Sequence, residues 1–456
     1  MTVAGIVAGI TDVGLNGVLA DLFKNPTAQQ KLFNGKVTKD ISNLGSVTAE
    51  YGVLEEPVVT FVPPTQAQWD AAHKISQTTP KPNMDMYGLS LPKNHFKMTS
   101  PGVSTPLEAT GAITVYGTFA LTKGTLSLSP VALELDESEF SNVDKFIVNG
   151  IIIPQVLSMA QKMLDAIPLP ALPDVGGVTF QPPVGAIIAQ KSLAVATNMT
   201  SEAAPSLEGF TPPDMTFYAV ASTDVLNAVL KAELVGQPFD EEDKTGPDAW
   251  YAAGRIKGKV QSLSVEIADG GVSVSAGLTN LSGYGELGGT GVGVAKAVMC
   301  PIGAAADAIA NPKDWDKVIS AFDVSYKPDP LPIPVSFKIA EGTDPETQEP
   351  AQFLRLSVGE LKTIQVVAAP KWSGSVTGTV LAPAAAAFID LLSVIFKGKI
   401  VNAILKKNAQ NVQVYMLPPV EKTVEGITIS LTVPNGTAAT PFGTAAIVQQ
   451  FGVSFS

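Results

Sequence analysis

The chain has 456 residues, 45 % of them apolar and only 16 % charged, and carries a net charge of −12. That length permits roughly two to four domains with a large core, and so little charge leaves the surface to Ser, Thr, Asn, Gln, Gly and Pro. The acidic balance argues against nucleic acid and anionic membranes as partners, because both are reached through clustered Lys and Arg.

In chain order, Ile6, Ile10, Val13, Val18, Leu19 and Leu22 fall near helical spacing and predict an amphipathic helix over 5–23, ended by Asn25-Pro26. From Gly35 to Val62 the pattern turns to strands, and Pro63-Pro64 breaks it. The polar, proline-spotted stretch 65–110 reads as long connections with a short helix at 66–74, and holds both histidines, His73 and His95. Ile113, Val115, Phe119 and Leu121 then share one parity, Lys123-Gly124 makes a turn, and Leu126, Leu128, Val131, Leu133 and Leu135 follow. A helix over 143–166 carries a wide apolar stripe, with a kink expected at Pro154. Residues 175–200 read as two strands, and Pro205–Pro213 as a linker.

Strands at 255–268 and 271–279 flank the turn Asp269-Gly270-Gly271. Gly283 to Asp323 reads as an insertion, Gly-rich at first and helical from about Val292, and 340–350 as an exposed loop. Strands at 353–358, 362–368 and 374–381 lead into a long helix at 384–406, and strands near 426–433 and 444–455 close the chain.

This order repeats. A start signal in residues 1–22 recurs at 211–234, with Thr11-Asp12-Val13-Gly14-Leu15-Asn16-Gly17-Val18-Leu19 set against Thr223-Asp224-Val225-Leu226-Asn227-Ala228-Val229-Leu230 and one residue dropped. Each long helix runs into a Leu-Pro signal and further strands, at Leu169-Pro170 and at Leu417-Pro418. The expectation is a duplicated mixed unit.

The inventory for chemistry is thin. Two histidines and the single Cys300 leave almost nothing for a zinc site, and no Gly-x-Ser-x-Gly elbow supports a hydrolytic triad. Gly283-Tyr284-Gly285-Glu286-Leu287-Gly288 matches the dinucleotide fingerprint, yet its flanking strands read as antiparallel hairpins, so it is read as a loop leading into a helix. Asp240-Glu241-Glu242-Asp243 lacks the alternation of a calcium loop and reads as a solvated loop. Cys300 reads as a core thiol. We therefore expect no enzyme, no cofactor and no metal. One cysteine, and no basic cluster ahead of apolar residues 3–10, point to a cytoplasmic chain without a signal peptide, with export by another route left open. The most apolar long stretch, Val376 to Phe396, contains Pro383 and Asp390, so no transmembrane segment is expected.

The run Ile152-Ile153-Pro154-Gln155-Val156-Leu157, continuing to Ile167 and Pro168-Leu169-Pro170-Ala171-Leu172-Pro173, resembles the end of a tubular lipid-binding (TULIP) domain. Gly117-Thr118-Phe119-Ala120-Leu121 through Leu133-Glu134-Leu135 looks like the strand pair those domains place before their long helix. Phe217-Tyr218-Ala219-Val220-Ala221-Ser222-Thr223-Asp224 resembles the strand-to-helix opening of a second such domain. The superfamily includes the bactericidal permeability-increasing and lipid-transfer proteins. The chain looks more like its bacterial intracellular branch, such as accessory proteins encoded beside clostridial neurotoxins.

The resemblance implies an α+β fold of two tandem TULIP-like units, 1–210 and 211–456, the second with a helical insertion at about 283–323. Each unit would be a long helix wrapped by a highly curved antiparallel β-sheet, with an apolar tube between them. Ile147, Ile151, Val156, Met163 and Leu164 in the first half, and Phe388, Leu391, Leu392, Ile395 and Ile404 in the second, are expected to face the sheet interior. A ligand-binding role for them is implied by the helices on which they lie. The implied function is non-enzymatic binding or transfer of lipid or another hydrophobic ligand. The alternative is a scaffold in a protein complex, with a protein partner and a solid core.

Overall fold

The computed structural model describes residues 4–41, 45–74, 85–101, 106–122, 125–136, 150–151, 153–165, 178–245, 251–268, 270–289, 318–343, 348, 350–358, 365–371, 413–417, 420–434 and 436–456. It is mostly β-structure, with curled antiparallel sheets. The first half runs β1 (Ile6–Thr11), α1 (Asp12–Lys24), α2 (Pro26–Ala28), a π-helical turn (Gln29–Phe33), β2 (Asn34–Ile41), β3 (Gly45–Val53), β4 (Val58–Thr60), α3 (Gln66–Ala71), β5 (His73–Lys74), β6 (Met86–Thr99), β7 (Leu107–Thr122), β8 (Thr125–Leu135), α4 (Ile153–Asp165), β9 (Val184–Ile188) and β10 (Ser192–Thr197). The second continues with β11 (Phe217–Ser222), α5 (Thr223–Leu234), β12 (Pro238–Thr245), β13 (Tyr251–Ala268), β14 (Gly271–Gly288), β15 (Val318–Lys327), β16 (Leu331–Thr343), β17 (Pro350–Val358), β18 (Gln365–Lys371), β19 (Gln413–Leu417), β20 (Val420–Val424), β21 (Ile427–Thr432), β22 (Thr440–Phe442) and β23 (Ala446–Phe455).

A central sheet, ordered β20-β21-β23-β11-β1-β10-β9, takes strands from both sides of residue 210. Its middle pair, β1 and β11, runs antiparallel from Ile6 opposite Ala221 to Ile10 opposite Phe217. Every residue of both strands is buried. One face supplies Ile6, Ile10, Phe217 and Ala219 to the main core, and the other supplies Val7, Tyr218 and Val220 to a second core under Phe210 and Phe442. Burial on both faces removes the alternation that would mark a strand, so Ile6–Thr11 is a strand where helical spacing predicted the start of a helix. The helix begins at Asp12.

Thr11 caps α1 by accepting from the Gly14 N–H, and Ser222 caps α5 by accepting from the Val225 N–H. These caps place Thr11 on Ser222, Leu15 on Leu226, Asn16 on Asn227 and Leu19 on Leu230 without a gap. The dropped residue in the sequence pairing of Thr11 with Thr223 is thereby corrected. In both helices the shared asparagine reaches a strand backbone. Asn16 accepts from the Val59 N–H of β4 at 2.7 Å and donates to the Val59 carbonyl at 2.9 Å, while Asn227 accepts from the Val265 N–H of β13 at 2.5 Å.

The first-half sheet is ordered β2-β3-β6-β7-β8-β5 and the second-half sheet β12-β13-β14-β16-β17-β19. β16 shows the clean alternation of a half-buried strand, with Leu331, Ile333, Val335, Phe337 and Ile339 inward. Aromatic rings repeatedly lie over a glycine on the neighbouring strand, as in Tyr218 on Gly9, Tyr87 on Gly117 and Tyr251 on Gly288. A Cβ at Gly9 would meet the Tyr218 hydroxyl and the Leu193 carbonyl, so only glycine admits the ring there.

Several other expectations change. The stretch read as polar connections contains the long strand β6, because a register shift between Leu91 and Asn94 accommodates Pro92, and buried Asn94 donates to the Leu91 and Gly111 carbonyls. Both histidines therefore lie in strands, His73 in β5 and His95 in β6. Pro154 is the second residue of α4, and Gly150 and Ile151 ahead of it are π-helical, while the expected helix over 143–149 lies outside the described residues. Gly283–Gly288 lies inside β14, between antiparallel β13 and β15, so it is neither a loop nor a phosphate cradle. Asp240–Asp243 belongs to β12, where Asp240 pairs with Arg255 at 2.5 Å. The expected helix at 384–406, the helix from about Val292, the strand at 374–381 and Cys300 lie outside the described residues.

Two predictions test this architecture. Asn16→Ala and Asn227→Ala each leave a strand N–H without its partner and should each cost roughly 1–3 kcal/mol, with the larger loss at Asn16, which also serves the Val59 carbonyl. Urea unfolding checks both. Burial pushes the Tyr218 hydroxyl up to about 12, against the partial counter-effect of its bond with Ser192. Because the folded value is raised, stability is intact below the unfolded value near pH 10 and lost as pH climbs toward 12. Tyr326, also raised to about 12, shares that window, so Tyr218→Phe should make the alkaline fall in unfolding midpoint shallower without abolishing it.

Candidate functional site

The candidate site is the inner face of the first-half sheet where α4 lies against β8 and the π-helical turn. The inward residues of this region are apolar: Val47 and Ala49 from β3, Leu89 and Leu91 from β6, Ile113 and Val115 from β7, and Leu133 and Leu135 from β8. Alternation on strands and three-to-four spacing on α4 bring these side chains to one interior.

Of the residues expected to face it, Ile151 and Val156 are buried in the main core, 2 % and 1 % exposed. Ala160, part of the same apolar stripe, and Met159, not singled out from the sequence, join them there. Met163 and Leu164 belong to α4, but their side chains, like all of Ile147, Phe388, Leu391, Leu392, Ile395 and Ile404, lie outside the described residues. Around the core, half-buried Phe119, Ile153, Leu157, Val178 and Phe180 form an apolar margin.

Charged side chains hold α4 and the π-helical residues ahead of it. Lys39 of edge strand β2 donates to the Gly150 carbonyl at 3.3 Å. At the far end Lys162 meets the Glu425 carboxylate at 2.6 Å. Lys31 of the π-helical turn donates to the Glu425 carbonyl at 2.7 Å. Glu425 and Gly426 both have positive φ, 52° and 79°, and form the tight turn between β20 and β21. A hairpin from the end of the chain is thus pinned onto two helical elements near its start. The Lys162 ammonium holds the Glu425 carboxyl below its ordinary range, with a smaller push from Lys31. Nothing in the sequence pattern singled out Glu425, because its partners are distant in the chain.

Among the described residues no group of His, Cys, Asp and Glu could hold a metal ion. An open depression of about 440 Å³ on the outer face of the first sheet is bordered by Asn34, Lys36, Glu50 and His95. Its charges are already engaged, Lys36 with Glu50 at 2.7 Å and, on the neighbouring strands, Lys97 with Glu108 at 2.9 Å. No helix of the described residues is long and apolar enough to cross a membrane, a statement that does not bear on strands.

No protein-family model matches the sequence, and no curated protein does. Solved structures that match include a crystal structure of lipopolysaccharide binding protein, 11 % identical, with 99 % of each chain covered and a TM-score of 0.36. The likeness is too loose to carry a ligand from that protein to this one.

The pinned hairpin has a measurable signature. Because the folded value of Glu425 is lowered, its contribution is present above the ordinary glutamate range and lost as pH falls through the lowered value. Glu425→Gln should therefore lower the unfolding midpoint at neutral pH, and its difference from the unaltered protein should close on acidification, as read by denaturant titration at both pH values.

Proposed function

We propose that this chain binds a lipid or another hydrophobic molecule at the interface between helix and sheet, without catalysing a reaction. The observation that carries the reading is the unbroken apolar character of the α4 interior, from buried Val156 and Met159 out to half-buried Phe119 and Leu157. Such a surface offers an acyl chain apolar contact over its whole length, at about 25 cal/mol per Å² removed from water. The reading keeps the TULIP-like organisation in two units, 1–210 and 211–456, each with its long helix. The repeated strand, cap, helix and asparagine of β1–α1 and β11–α5 support a duplication.

A second reading, a scaffold within a protein complex such as a toxin-accessory assembly, is favoured by a different observation. Ile151, Val156, Met159 and Ala160 share one continuous packed core with residues of the second half, as a solid interior would.

The two separate experimentally. Native mass spectrometry with lipid extraction, on protein purified from cells, should find a co-purifying lipid for a binder. Met159→Trp should lower uptake of a fluorescent fatty acid with little loss of folding if it fills ligand space. In a solid core the same overpacking costs about 1–3 kcal/mol. Unchanged uptake beside a large fall in unfolding midpoint would count for the scaffold reading over binding at the α4 interior.

A further inference from the structure

On the main-core face of β23, Gln449 breaks an apolar sequence of side chains. It stands opposite Ala219 of β11, between Ile447 and Phe451, which both belong to the main core. It is 4 % exposed. An amide in such surroundings is ordinarily held by hydrogen bonds, because an unmade bond forfeits the solvation the group had in water.

One end of the amide is accounted for. Nε2 donates to the Gln450 carbonyl at 3.0 Å, which also settles the orientation, since turning the amide over would set Oε1 against that carbonyl oxygen. Among the described residues nothing donates to Oε1. Gln449 also walls a cavity of about 10 Å³, shared with Ile6, Ala219, Ala221, Leu354 and Ala439. The space exists because three of those residues are alanines. It lies where the central sheet meets β17 and the segment that joins β21 to β22, whose Ala439 N–H bonds the Phe337 carbonyl of β16 at 2.8 Å.

We infer that this cavity is a binding site for a single buried water molecule, which donates a hydrogen bond to Gln449 Oε1 at the seam between the two sheets. The volume is that of about one water, too small for a larger hydroxyl-bearing molecule. A water is also the smallest group that can donate to Oε1 and still have bonds left for the backbone. The main chain of β23 beside Gln449 has such bonds to offer, because β22 pairs with β23 only as far as Val448, and β21 begins pairing at Gly452. Between them, no described strand pairs with β23 on the side away from β11. The water would tie a side chain of the central sheet to the main chain of that seam. The inference is independent of whether the α4 interior takes a ligand.

A crystal structure of the full chain, at a resolution that shows ordered solvent, tests it. One isolated peak about 2.5–3.0 Å from Gln449 Oε1 is expected, with its loss in Gln449→Leu. Should that variant not fold, magnetisation transfer from water to the Ala219 and Ala221 methyl groups of the unaltered protein gives the same reading in solution, and its loss in Ala439→Val, which fills the cavity, completes it. No peak and no transfer would overturn the inference, as would a protein donor rotated onto Oε1. Continuous density for a longer molecule with its hydroxyl on Oε1 would replace the water with an organic ligand.

Discussion

The antiparallel pairing of β1 with β11 is the interaction on which the other parts of this molecule depend. Both strands are buried on both faces, so each is fixed by its neighbours above, below and alongside. Each ends on a hydroxyl residue, Thr11 or Ser222, that turns the chain directly into a helix by accepting an orphan N–H. The directions of α1 and α5, and through them the placement of the two outer sheets, follow from that one ladder. Asn16 and Asn227 extend the control by one step, bonding each helix to the backbone of a strand in its own sheet.

Close approach within the sheets is the second constraint. Where Tyr218, Tyr87 or Tyr251 lies across a neighbouring strand, the residue opposite is glycine. A large ring covering a residue without a side chain restores apolar contact that glycine alone would forfeit, and lets the backbone beneath come near. The Tyr218 ring serves both purposes in the central sheet, where its hydroxyl also bonds Ser192, which in turn donates to the Ile10 carbonyl.

The proposed function rests on apolar surface. Ion pairs among the described residues lie at the periphery, as with Lys36–Glu50 and Lys97–Glu108, and exposed pairs of this kind contribute little to stability. The polar groups that do reach the interior, Asn94 and Gln449 among them, act on backbone and packing. A helix pressed on an apolar sheet either packs solidly or leaves room for an apolar guest, and the same residues serve both outcomes.

The sequence by itself determined the local elements whose burial is one-sided, because only a half-buried strand or helix prints its period in the residue order. The hairpin of β13 and β14, the pair β7 and β8, and the short helix after Thr65 were all legible in that way. The repeat of an asparagine at the same place in two helices was legible too, although its role was not. Only the tertiary structure decided that Ile6–Thr11 is a strand, since burial on both faces erases the pattern. Pro92 hid β6 until the bulge that accommodates it was seen. Likewise the apolar stripe of α4 was visible in the sequence, whereas the bond from Lys162 to Glu425 and the isolation of Gln449 were not. Those depend on which distant segments meet, and spacing along a chain carries no information about a partner hundreds of residues away.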